Sequence, residues 1–463
     1  MLTEYFEYVF LGGGKGGKTL AIELAKRGKR VALIEKGMIG GSCINVACIP
    51  TKSLIHNAKT FHTAQSSNLA SQISVKPQAN MPLVHGRVQN VVDQLIEINM
   101  NSFVAAGFDL LLGRGRFIAP RKIEVALNDG STRLIEGKHV FINTGTVAAI
   151  PAIPGLKESS PMTHVEALAM HTLPEALIII GGGYIGLEMA QAFHRLGSKV
   201  IVIQQGPRIA MPEDADVSAV IHAALVEEGI EIRVGVAPIQ VTGTSGESVT
   251  LTLDDESIIR GTDILVAAGR TPVTSNLGLE AAGVAIDARG FIKVDERLAT
   301  SAQNTWAIGE VAGTPMFTHA SFDDYRVLRS QLEGGNMTTK DRMVPYAMFV
   351  EPELGRIGLN EAEAENRGIK VRIAKLQMTS VPRARTQNAT KGFMKMLIDP
   401  DTDQILGFTM VGTNAGEVVT AVQMAMKGNL PYTAVRDTII AHPLISEGLN
   451  ILLANVPLAD PNH

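Results

Sequence analysis

Cysteine is nearly absent from this chain. Two in 463 residues cannot build a disulfide framework, and their closeness within one segment points to redox or metal chemistry in a reducing compartment. An excess of charge is also missing. Forty-two basic residues stand against 46 acidic ones, a net charge of −4, so there is no electrostatic footprint for nucleic acid or an anionic membrane. The N-terminal stretch carries Glu4 and Glu7 and no basic region, unlike a secretory signal. The most apolar stretch, 176–193, is broken by Gly181, Gly182 and Gly183 and carries Glu188, which argues against a membrane span. Low-complexity segments and long linkers are lacking, and the 21 prolines are scattered. These absences predict a cytoplasmic protein whose partners are small molecules. Its length, at 45% hydrophobic content, predicts about three domains.

What is present is a repeat. An apolar strand at 8–11 runs into Gly12-Gly13-Gly14-Lys15-Gly16-Gly17, then a helical pattern ending at Gly28. A second strand at 176–180 runs into Gly181-Gly182-Gly183-Tyr184-Ile185-Gly186, then a helix ending at Gly197. Further strands follow at 31–34 and 200–203, so the chain holds two βαβ units. Each copy continues with strand-like runs around a turn, 122–127 before Asn128-Asp129-Gly130 and 249–253 before Asp254-Asp255. Each closes on a strand ending in glycine, at Gly145 and Gly269. After Pro345, strands at 346–350, 394–398 and 405–411 alternate with helical patterns such as 415–426, which predicts an α+β domain.

Both loops match G-x-G-x-x-G. The first glycine permits a tight turn, the second lets backbone N–H groups approach a pyrophosphate, and the third lets helix and strand pack closely. The helix N-terminus adds its partial positive charge. The first loop also fits a P-loop, because Lys18 and Thr19 follow Gly17, so an ATP-binding protein is the competing reading. Counting 23 residues from Gly12 reaches Glu35, a carboxylate placed to hold a ribose hydroxyl pair, which favours a dinucleotide. The same count from Gly181 reaches Gln204. Without an acid there, and with Arg208 close by to meet a 2′-phosphate, NADPH is preferred over NADH.

After the first βαβ unit comes Gly40-Gly41-Ser42-Cys43-Ile44-Asn45-Val46-Ala47-Cys48-Ile49-Pro50-Thr51-Lys52. Two thiols at this spacing suit disulfide exchange, with one sulfur attacking substrate and the other meeting the cofactor. They lack the further Cys and His ligands of a structural zinc site, and no metal centre is predicted.

This segment resembles the active-site signature of the flavoprotein disulfide reductases, the family of glutathione reductase, dihydrolipoyl dehydrogenase and mercuric reductase. The resemblance runs through nearly the whole chain. It includes Thr144-Gly145 with Pro151 and Pro154-Gly155, Gly181 to Glu188, and Gly269-Arg270-Thr271-Pro272. It continues in Trp306 to Gly313 and in His442-Pro443-Leu444-Ile445-Ser446-Glu447.

The resemblance implies an α/β fold of two Rossmann-like dinucleotide-binding domains and a C-terminal α+β dimerisation domain. Residues 1–150 and 271–340 would form the FAD-binding domain, 151–270 the NAD(P)-binding domain and 341–463 the dimerisation domain. FAD would lie against Gly12, Gly14, Gly17, Glu35 and Lys36, then Gly41, Ser42 and Lys52, then Thr144 and Gly145, and finally Gly309, Glu310, Phe317 and Thr318. The nicotinamide dinucleotide would meet Gly181, Gly183, Ile185 and Gly186, with Gln204, Arg208, Gly269 and Arg270. Cys48 would face the flavin and Cys43 would exchange with substrate. Lys52 and Glu188 would pair beside the reactive edge of the isoalloxazine, and Tyr184 would gate the nicotinamide pocket. His442, oriented by Glu447, would be the acid/base residue, supplied by the partner subunit of a homodimer. An imidazole suits that task near neutral pH, and a carboxylate fixes its tautomer.

Some positions depart from the family pattern. Glu310 stands for the usual aspartate, Val273 for a frequent asparagine and Leu444 for a frequent threonine. The chain has no cysteine pair near its C-terminus, unlike mercuric reductases. Phe317 to Arg326 and Glu447 to Asn450 look most like the reactive-chlorine-resistance flavoreductases. The expected activity is therefore NAD(P)H-dependent reduction of a disulfide, small oxidant or metal substrate, with dihydrolipoyl dehydrogenase as the alternative within the family.

Overall fold

Each glycine repeat folds as strand, turn and helix for the same local reason. In the computed structural model, which describes residues 2–66 and 78–458, the strand Thr3–Leu11 passes through Gly12 into the helix Lys15–Lys26. The strand Ala176–Ile180 passes through Gly181 into the helix Tyr184–Leu196. Gly12 and Gly181 have φ of +102° and +116°, and a Cβ on either would lie 2.4 Å from a carbonyl oxygen, of Asn143 or Ala267. Only glycine fits a turn of that hand so close to a neighbouring strand.

The returning strands, Val31–Glu35 and Lys199–Gln204, pair in parallel with their predecessors. In the first sheet the parallel order is Asp109–Ala119, Val31–Glu35, Thr3–Leu11, Thr132–Ile142 and Thr305–Ala307. Lys122–Leu127 pairs antiparallel with both long strands. Thr305–Ala307 thus returns to the first sheet after the whole second repeat has intervened. The second parallel sheet contains Asp263–Val266, Ala176–Ile180, Lys199–Gln204 and Glu231–Val234. Beside it lies an antiparallel trio, Pro238–Thr244, Ser248–Leu253 and Ile258–Gly261.

The C-terminal unit is a five-stranded antiparallel sheet ordered Tyr346–Met348, Leu354–Gly358, Ile405–Val411, Phe393–Ile398 and Arg372–Gln377. The helix Ala415–Lys427 packs on it through Val418, Val419 and Val422. The fold class is the predicted one, with local differences. The strand expected over 346–350 ends at Met348, and two strands were not foreseen. Leu354–Gly358 carries two glycines in five residues, which reads as a turn until the sheet around it is known. Two long helices, Cys48–Ser66 and Met81–Ala106, pack on each other and bury Leu54, Ala58, Met81 and Val88 in a core shared with the second repeat. No helix among the described residues is long and apolar enough to cross a membrane.

Candidate active site

The two glycine loops are built alike down to single hydrogen bonds. Gly13 N–H donates to Glu35 Oε2 at 2.8 Å, and Gly182 N–H donates to Gln204 Oε1 at 2.8 Å. Glu35 Oε1 also accepts from the N–H groups of Gly37 and Met38, each at 3.0 Å. Its buried carboxylate therefore keeps little capacity beyond the loop it organises. Gln204 presents an amide N–H where the first copy presents a carboxylate. Arg208 Nη2 donates to the carbonyls of Met211 and Glu213 at 3.2 and 3.0 Å, while its buried Nε has no partner. Lys36 is exposed at the surface.

Asn143, whose role sequence patterns did not reveal, ties the first loop together. Its Oδ1 accepts from Gly17 N–H at 3.0 Å and its Nδ2 donates to Ile308 O at 2.7 Å. Ser321 Oγ accepts from Gly16 N–H at 3.3 Å. Among the described residues, the N–H groups of Gly14 and Lys15 have no internal acceptor, and they stand at a helix N-terminus. That combination, with a cradle in which a Cβ on Gly14 would lie 2.5 Å from Asn143 Oδ1, fits a pyrophosphate. The P-loop reading fails on Lys18. Its Nζ donates to Asn99 Oδ1 on the helix Met81–Ala106, and burial, with Lys15 nearby, brings it down to about 8.

The segment carrying the cysteines lies directly on this loop. Gly41 has φ of +86°, and a Cβ there would be 3.0 Å from Gly14 Cα. The short helix Ser42–Asn45 begins next, and Cys48 opens the helix Cys48–Ser66. Both cysteines are free thiols and partly buried. A hydrogen bond from Cys43 pulls the Cys48 thiol down to about 6, with Thr318 and the Lys52 ammonium helping and burial opposing. The same bond, then burial, pushes Cys43 upward. The surroundings thus favour the thiolate at Cys48 and the protonated thiol at Cys43. Thr318 Oγ1 lies 3.3 Å from Cys48 Sγ.

Lys52, one turn after Cys48 on the same helix, places its Nζ 2.7 Å from Glu188 Oε2. Glu188 is 4% exposed, and its Oε1 accepts from Phe349 N–H at 2.9 Å. The expected Lys52–Glu188 pair therefore forms, joining the cysteine helix to the second glycine-loop helix. Thr146–Ala148 and Arg270–Pro272 pair antiparallel, bringing the segments after Gly145 and Gly269 together. Arg270 Nε lies 2.6 Å from Thr146 Oγ1 and 3.2 Å from Glu310 Oε2. Thr144 Oγ1 donates to Val273 O at 2.7 Å. Gly309 N–H is held at 2.7 Å by Asp324 Oδ2, which also accepts from Thr314 Oγ1 at 2.8 Å. Asp324 is a second residue whose role was not read from sequence.

Tyr184, the first residue of its helix, hydrogen-bonds Glu213 Oε1. Its ring lies 5.8 Å from that of Tyr346, which stacks on Phe317 at 5.3 Å. His442 stands apart from these groups in its bonding: Nδ1 lies 3.0 Å from both carboxylate oxygens of Glu447, and the side chain is 66% exposed. That leaves Nε2 to another molecule. Among the described residues, one trio of carboxylates, Asp214, Asp216 and Glu361, is close enough to hold a metal ion. Lys395 Nζ already lies 2.7, 2.9 and 2.5 Å from them, so a resident ammonium answers their charge.

Comparison with known proteins agrees along the chain. Residues 6–324 match the model of the pyridine nucleotide-disulphide oxidoreductases, and residues 344–452 match the dimerisation domain of the same family. The probable pyridine nucleotide-disulfide oxidoreductase RclA of Escherichia coli is 36% identical over 97% of this chain and 99% of its own. A mercuric reductase of Bacillus cereus is 32% identical over 96% of this chain and 70% of its own. A solved Cu(II) complex of the HOCl-induced flavoprotein disulfide reductase RclA from E. coli superposes with a TM-score of 0.89. That match has 35% identity and covers 98% of this chain and 99% of the other. The chain belongs to the pyridine nucleotide-disulphide oxidoreductases, an FAD-dependent, NAD(P)H-using family of oxidoreductases that act on sulfur groups.

Proposed function

We propose that this protein is a cytoplasmic, homodimeric reductase that uses NADPH, through FAD, to keep Cys43 and Cys48 reduced against a disulfide, a small oxidant or a metal ion. The observation that carries the reading is the pair of free thiols, Cys43 and Cys48, in a segment lying on the first glycine loop, one turn before the Lys52–Glu188 pair. Bound in that cradle, FAD supplies the two-electron relay between a nicotinamide and the cysteines.

The chain's own residues do the rest. Cys43 holds a proton and attacks a substrate disulfide only when that proton is removed, which is the work of His442 from the partner subunit. Glu447 keeps Nδ1 protonated and leaves Nε2 as the base. Cys43 Sγ then forms a mixed disulfide, one substrate sulfur leaves, and His442 returns the proton to it. Cys48 thiolate attacks Cys43 Sγ, the second substrate sulfur departs as a thiolate that takes a proton from solvent, and the Cys43–Cys48 disulfide closes. Two electrons have left the cysteine pair and two thiols have formed. Lys52 and Glu188 hold the flavin edge in place, and Tyr184 covers the nicotinamide site.

The dinucleotide preference rests on Gln204. Its amide can donate to a 2′-phosphate, where a carboxylate would repel one. Metal ions enter as acceptors because relatives are named for mercury reduction and for a Cu(II) complex. The test is steady-state nicotinamide oxidation with a panel of disulfides, oxidised small molecules and Cu(II) or Hg(II). Activity with at least one acceptor is expected, with NADPH favoured over NADH. Gln204→Glu is expected to shift that preference toward NADH by roughly tenfold, the scale of one charge-assisted hydrogen bond. Failure of both nicotinamides with every acceptor contradicts the reading.

A further inference from the structure

Glu213 belongs to no motif, yet it sits at the meeting point of the second glycine loop and the C-terminal sheet. Its side chain is 0% exposed. Three groups converge on its carboxylate. Tyr184 Oη and Tyr346 Oη both donate to Oε1, the latter at 2.7 Å. Arg356 Nη1 lies 3.6 Å from Oε2, which makes no hydrogen bond.

The three partners are not equally fixed. Tyr346 and Arg356 are register partners on adjacent antiparallel strands, and Phe317 stacks on Tyr346 with ring planes 5° apart. Tyr184 opens its helix directly after the glycine loop; its partly buried ring packs against the core, but no strand register fixes it as it fixes Tyr346 and Arg356. Burial, and then the Glu213 carboxylate, push both phenols upward, so each remains an O–H donor across the physiological range.

We propose that Glu213 is a positioning residue that latches Tyr184 in the closed position over the nicotinamide site, using Tyr346 and Arg356 of the dimerisation domain as its anchor. This rests on the reading of Tyr184 as the gate to that site. A nicotinamide enters only after the Tyr184–Glu213 hydrogen bond breaks, so binding is weakened by the fraction of enzyme that is closed. The adenine half of the dinucleotide does not need the gate and escapes that penalty.

The measurement is equilibrium titration of the flavin-loaded enzyme with NADP⁺ and with adenosine 2′,5′-bisphosphate, which lacks the nicotinamide. Tyr184→Phe and Glu213→Ala are each expected to tighten NADP⁺ binding by roughly tenfold, the scale of one hydrogen bond to a charged acceptor. Neither is expected to change the bisphosphate. The double variant is expected to gain no more than either single one, because both remove the same bond. Glu213→Gln, which keeps an acceptor oxygen, is expected to fall between wild type and alanine, and it decides the matter with Tyr184→Phe if alanine loses flavin. Unchanged NADP⁺ affinity in these variants overturns the latch, as does an equal shift of both probes. If the wild type binds neither probe, the nicotinamide reading itself fails, and the latch with it.

Discussion

Cys48→Ser is expected to stop turnover, lowering it by roughly a thousandfold or more, because the second exchange step loses its nucleophile. It is also expected to remove the long-wavelength absorbance that a thiolate beside an oxidised flavin produces on mild reduction. The pH dependence follows from the same environment. The Cys48 pKa is depressed to about 6, so in reduced wild type the thiolate signal grows as pH rises through about 6 and fades as pH falls through it. Cys43→Ala retains Cys48 but deletes the hydrogen bond that contributes most to that depression, so its midpoint is expected above the wild-type value. Absorbance titration from pH 4 to 9 reads both. A band that survives Cys48→Ser, or a midpoint indifferent to Cys43, contradicts the assignment of the thiolate.

The second large effect is at His442. Its alanine variant is expected to lose about a hundred- to ten-thousandfold in disulfide turnover, the range for a general acid/base, while reduction of bound flavin by NADPH stays near wild type. The exposure of His442 and its bonding, among the described residues, to Glu447 alone fit a residue completed by a second subunit. Co-expression of His442→Ala with Cys48→Ser separates the cases. If His442 acts across the dimer, mixed dimers regain one working site, and the pool recovers about a quarter of wild-type activity from random pairing. If His442 serves its own chain, every site lacks one essential group and the pool stays inactive.

Much of this was legible in the sequence because it is carried by short, local patterns. The two glycine loops and the cysteine segment lie in stretches whose spacing reports their geometry, whereas the Lys52–Glu188 pair, 136 residues apart, was expected only from the family resemblance. The family resemblance added an expected order of domains, with 271–340 placed beside 1–150, but not the strand Thr305–Ala307 that joins the first sheet. What stayed hidden depends on residues far apart in the chain. Asn143 and Ser321 bond to Gly17 and Gly16 across 126 and 305 residues, and no periodicity marks such partners. Asp324 reads as a helix surface charge until Gly309 and Arg342 are seen to bond it. Glu213 reads as a loop acid until two tyrosines from different domains converge on it. Lys18 shows the opposite failure, since a matching local pattern suggested phosphate contact while the fold buries its ammonium against Asn99.

Two sulfurs and one flavin are expected to share electrons within a single chain and its cradle. Anaerobic reductive titration of the purified, flavin-loaded protein tests this directly. Oxidised wild type is expected to take up one electron pair beyond what its flavin consumes, and Cys43→Ser and Cys48→Ser only the flavin's share. A wild-type protein that is fully reduced by the flavin's share alone, with both thiols titrating independently of it, would contradict the account.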